Sequence, residues 1–104
     1  MAWLILVVSG AFEAVWATAL GKSEGFSKLG PTLVFAVALV ISMGGLALAM
    51  RTLPTGTAYA VWVAIGAALT VTYAMITGDE AASWIKVALL MGIVGCVVGL
   101  KVLP

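Results

Sequence analysis

The 104-residue chain contains no histidine and a single cysteine. Those two shortages together exclude metal clusters, disulfide frameworks and histidine-based catalytic groups. Charge is scarce too: Asp, Glu, Lys and Arg make up 9% of the residues, against about 25% in an ordinary soluble domain. The formal net charge of +1 leaves no basic footprint for a nucleic-acid partner. No nucleophile–base pair stands out, so neither an enzyme nor a cofactor is expected. What remains is apolar. With 64% hydrophobic residues and a mean hydropathy of +1.27, the chain cannot be a water-soluble globule. It is a membrane protein with almost no soluble part, and the lipid bilayer is its first partner.

Four apolar segments follow one another, at about 3–20, 31–50, 57–77 and 84–100. Each is close to the length that crosses a bilayer, the last slightly short. The expected fold class is an all-α membrane protein, one domain over 1–104 with four transmembrane helices. The breaks are well marked. Gly21–Gly30 is polar, and Pro31 suits a first helical turn. Pro54 and Gly56 interrupt the second break, and Gly78 opens the third. Asp79 and Glu80 there are read as helix-start acids complementing the dipole. The short loops predict antiparallel neighbours. Ala17-Thr18-Ala19 resembles a signal-peptide cleavage site, but no Lys or Arg precedes the apolar run and an acid interrupts it, so that reading is rejected. Cys96, in an apolar run, is read as a small packing residue.

With four spans, Arg51 and Lys101 share one side with the N-terminus, and Lys22, Lys28 and Lys86 share the other. That is almost no positive-inside bias, so the chain is expected to insert both ways and to pair head to tail. Gly95 and Gly99 form a GxxxG motif, reinforced by Gly92, which suggests helix packing between copies. A dimer is the minimum, because four short helices can hardly enclose a polar pathway alone.

Glu13 is the one charged residue inside the first segment. At 1.5 Å per residue it lies about 15 Å in, near the bilayer midplane. An ionised side chain there costs roughly 2.5–3.5 kcal/mol or more, which marks an intramembrane acid as a functional site. Such a group holds a proton or a cation and exchanges one for the other. Gly10, Ser9, Trp16 and Ala17 lie three or four residues from it and share its face. Trp16 offers an indole N–H and a flat wall, and Gly10 leaves space. In the third segment Tyr59, Trp62, Gly66 and Tyr73 form a second stripe, suited to an organic cation once desolvated. Ser42 is the hydroxyl near the middle of the second segment and a candidate to orient Glu13.

Four stretches carry a resemblance: Phe12-Glu13-Ala14-Val15-Trp16-Ala17, Ser23-Glu24-Gly25-Phe26, Leu53-Pro54-Thr55-Gly56-Thr57-Ala58-Tyr59-Ala60-Val61-Trp62 and Gly99-Leu100-Lys101. Over essentially its whole length the chain resembles the small multidrug resistance family of proton-coupled exporters. Trp16 and the Gly56–Trp62 stretch are similar to the guanidinium-exporter subtype. The resemblance implies an antiparallel, dual-topology homodimer in the bacterial inner membrane. In it the two Glu13 carboxylates form one central site, reached alternately from each side. It further implies that Ser42, Trp16 and Tyr59 hydrogen-bond around the carboxylates and that Trp62 lines the pocket. Proton and guanidinium, competing for the same paired acids, would then be exchanged. The chain departs from the family pattern at Gly21, where a lysine is usual, and at Val63 and Ala64, where a hydroxyl and a glycine are usual. Ala64 and Gly66 fall where the resemblance puts the bend of the third helix, and Ala64 would stiffen it. Gly95 is displaced by one position, with Cys96 in its place.

Other readings stay open at this point. Within the class, the chain could export bulkier hydrophobic or quaternary ammonium cations, or form half of a pair with a paralogous chain. Outside it stand a passive cation channel and a structural membrane subunit.

Overall fold

A computed structural model describes residues 1–103. It contains four helices: α1 (Ala2–Lys22), α2 (Leu29–Ala49), α3 (Thr55–Thr77) and α4 (Trp84–Val102). All four are long and apolar enough to cross a membrane. At 1.5 Å per residue they measure about 28 to 35 Å, which matches a hydrocarbon core about 30 Å thick.

The helix ends follow local chemistry, with some shifts from the sequence expectation. Lys22 extends α1 by two residues, and Leu29 starts α2, so Pro31 is its third residue. Proline is tolerated there because first-turn N–H groups have no helical acceptor. Between these helices Ser23 is buried; its Oγ donates to the Leu20 carbonyl at 2.8 Å and accepts from the Phe26 N–H at 3.1 Å. That capped turn carries Glu24, Gly25 and Phe26 through positive φ angles of 49°, 71° and 69°. Phe26 is thereby turned onto Phe35 of α2, their ring centroids 5.4 Å apart.

Gly78, with φ of 85°, ends α3 in the left-handed conformation that glycine adopts without penalty. Ser83 caps α4, its Oγ accepting from the Lys86 N–H at 3.1 Å. The reading of Asp79 and Glu80 as helix-start acids is corrected here: both precede the cap, and the first turn of α4 has no acid. They pair with lysines instead, Asp79 with Lys22 at 3.2 Å and Glu80 with Lys86 at 3.3 Å.

Chain order does not give the packing order. α1 is central, with α2 and α3 both lying along it and barely touching each other; α4 lies on α3. The buried cluster joins Leu6 of α1, Leu46 and Ala49 of α2, and Ala58, Val61 and Trp62 of α3. Trp3, at one end of α1, lies under the Lys101 ammonium, 5.9 Å from its ring centroid. No residue of α4 is buried, and Gly92, Gly95 and Gly99 face open space.

Candidate functional site

Glu13 is the twelfth residue of the 21-residue α1, so the helix carries it to mid-span. Its carboxyl crosses to α3 and lies against the backbone at Gly66. A Cβ at Gly66 would stand 2.7 Å from Glu13 Cγ and nearer still to the carboxyl. The missing side chain is therefore what seats the acid. One turn earlier, a Cβ at Gly10 would lie 2.8 Å from Ile65 Cγ2, so Gly10 lets α1 and α3 approach. The third close approach involves Gly45 of α2, where a Cβ would meet Ser9 Cβ at 2.7 Å. Glycines 10, 45 and 66 thus draw three helices together around one turn of α1, Ser9 to Glu13.

A buried polar chain ties the same turn. Trp62 Nε1–H donates to Ser42 Oγ at 3.1 Å, and the Ser42 hydroxyl donates to the Ser9 carbonyl at 2.7 Å. In an α-helix that carbonyl also accepts from the N–H of Glu13, four residues on. One side chain from α2 and one from α3 thereby hold the backbone turn that bears the acid. Ser9 itself is 2% exposed, its own hydroxyl donating to the Ile5 carbonyl.

The candidate residues are brought together unequally. Ser42 and Trp62 bond each other, and the hydroxyl proton of Ser42 is committed to Ser9 rather than to Glu13. Trp16 stands edge-on to Phe35, centroids 6.0 Å apart, and its indole Nε1 is buried without an acceptor. Glu13 Oε2 is likewise buried without a donor. Tyr59 is 54% exposed, beside Trp62 at 5.9 Å between ring centroids. α3 continues unbroken through Ala64 and Gly66. Tyr73 lies further along, on a groove at the Lys22 end.

Sequence spacing finds Ser42 and Trp62 as candidates but misses Gly45 and Phe35. Nothing in the local pattern marks Gly45 apart from Gly44, where a Cβ would meet nothing. Only the approach of α1 distinguishes them.

A carboxylate oxygen shut away from water, with no N–H or O–H facing it, is stabilised by a proton or by a bound cation. The fold and this site define a multi-pass membrane protein with one acid at mid-span, a carboxyl oxygen of which is buried and unpartnered. The pattern of Small Multidrug Resistance proteins matches residues 1–93. A guanidinium exporter of Yersinia pestis is 45% identical over 101 residues, 97% of each chain. Guanidinium exporters of Proteus vulgaris, at 43%, and Escherichia coli strain K12, at 44%, align over 97% of this chain and 97% and 96% of their own. The chain belongs to the small multidrug resistance family. It is a multi-pass protein of the bacterial inner membrane.

Proposed function

We propose that the chain exports guanidinium or small guanidinyl cations in exchange for protons, the two competing for Glu13. The observation that carries this reading is the Glu13 carboxyl, seated on Gly66 at mid-span with one oxygen buried and unpartnered. The names of the relatives support the choice of cation. A planar guanidinium presents paired N–H donors that match a carboxylate.

Two copies, inserted in opposite directions, bring two Glu13 carboxylates to one site. The near-balanced lysine and arginine count supports dual insertion, and the open face of Gly92, Gly95 and Gly99 on α4 supports a second copy. Paired acids titrate as a unit. A bound cation favours their charged form, and its departure favours reprotonation, so inward proton flow drives the cation out. Trp16 and Tyr59 supply donors around the pair, while Trp62 and Ser42 hold the helices that frame it.

The test uses purified protein in sealed liposomes and records guanidinium-driven proton movement. Native protein is expected to couple the two fluxes, and Glu13→Gln to abolish both. Undiminished coupled flux in Glu13→Gln would overturn the assignment. Transport of tetraethylammonium in place of guanidinium would move the chain to a broader cation range. Transport that appears only with a second, unlike chain would replace the homodimer.

A further inference from the structure

Beyond Glu13, α1 and α3 line a further opening at the Lys22 end. Ala17 and Gly21 continue the face of Glu13 along α1 at four-residue steps, and Thr70 and Ala74 continue that of Gly66 along α3. Between them lies a cavity of about 350 Å³. At about 30 Å³ per water, it has room for a small organic cation and several waters. Lys22 and Asp79 stand on its rim, Nζ to Oδ2 at 3.2 Å, and Tyr73 lines its wall. The Gly21 rim is about 12 Å along α1 from Glu13, two turns and a little more.

This ion pair differs from its neighbours. Lys28–Glu24 is an (i, i+4) pair, and Lys86–Glu80 joins residues six apart. Among the described residues, Lys22–Asp79 is the pair that bridges the ends of two helices across a cavity. Both side chains are about half exposed, at 52% and 55%. An exposed pair contributes at most about fivefold to an equilibrium constant. A cation arriving from water therefore competes with the lysine on nearly equal terms. The carboxylate suits the N–H donors of a guanidinium, and an aromatic wall adds attraction for a cation.

We propose that this cavity is a first, low-affinity site for the exported cation, with Asp79 as its acid and Lys22 as the resident cation that the substrate displaces. This rests on the exporter reading of Glu13 and adds a second station on the way to it. The ligand class is a small monovalent organic cation with N–H donors.

Two substitutions test it, because they act in opposite directions only if the pair is a binding site. In liposomes at low ionic strength, Asp79→Asn is expected to raise the KM for guanidinium about threefold or more, with maximal rate unchanged. Lys22→Gln, which removes the competitor, is expected to lower it. Raising salt to about 0.15 M, where the Debye length is about 8 Å, should shrink both differences. If the pair merely clips the helices together, both variants shift in the same direction, and the proposal fails. Unchanged KM in both also overturns it. A transport-independent readout separates this from failure of the Glu13 reading. Glu13→Gln protein should retain weak equilibrium binding of labelled guanidinium, which is lost when Asp79→Asn is added. Absence of that residual binding counts against the site whether or not transport depends on Glu13.

Discussion

Replacing Gly66 with alanine puts a methyl group where the Glu13 carboxyl lies. The new Cβ would stand 2.7 Å from Glu13 Cγ, with the carboxyl closer. Carbon–carbon contacts are comfortable at about 3.5–4.0 Å, so the acid has to retreat by about 1 Å. The atoms displaced are the end of a flexible side chain, so the fold yields readily and the effect falls on the position of the acid, where about 1 kcal/mol is roughly fivefold in cation binding. Helix stability does not oppose the change, since alanine is about 1 kcal/mol better than glycine in a helix interior. Labelled guanidinium binding in detergent, followed by uptake into liposomes, reads the effect. Gly66→Ala is expected to weaken binding about fivefold. Gly44→Ala on α2, where a Cβ meets nothing within 4 Å, is expected to leave it unchanged. Shortening the acid should restore part of the loss, so Gly66→Ala with Glu13→Asp is expected to bind better than Gly66→Ala alone. Native binding in Gly66→Ala would refute the seating of the acid on this glycine. A loss that the shorter acid does not relieve would assign Gly66 to helix bending instead.

Three further outcomes follow from the packing. Ser42→Ala leaves the Trp62 indole N–H, in a residue 5% exposed, without its acceptor. Its cost is expected near 1 kcal/mol, between the average of about 0.6 for interhelical bonds in membranes and about 1–3 for an orphaned buried donor. Unfolding in mixed micelles measures it, with weaker guanidinium binding alongside. Ser23→Ala removes both hydrogen bonds of the buried cap after α1 and should destabilise by about 1–2 kcal/mol in the same assay. Lys28→Gln breaks only an exposed (i, i+4) pair with Glu24 and should change stability by less than about 0.5 kcal/mol, with transport intact.

The four spans were legible because lipid imposes a length and a composition, and both are written locally. The loops were legible for a related reason: Pro54, Gly78 and the polar 21–30 stretch cannot continue an apolar helix. Ends drifted by a few residues, as at Lys22 and Leu29, where capping by a buried serine decided the turn. The acid was legible from cost alone. A lone carboxyl in an eighteen-residue run that carries no other charge has no partner in that run to offset its desolvation.

What the sequence could not decide was which face of each helix turns inward. In a soluble helix the polar face marks the outside, but here lipid-facing and core-facing residues are equally apolar, so that signal vanishes. Hence Gly45 looked like Gly44, Asp79 like a dipole acid, and Ser42 like a direct partner of Glu13. The tertiary packing settled each by close approach: Ser9 against Gly45, Lys22 across the cavity to Asp79, and the Ser42 hydroxyl onto the Ser9 carbonyl. The sequence by itself determined that four helices cross a membrane and that one of them carries an acid at its centre, because both follow from transfer energies residue by residue. Only the tertiary structure decided what the acid rests on, because helix rotation and spacing are fixed by the fit of three surfaces and by glycines that matter only where another helix arrives.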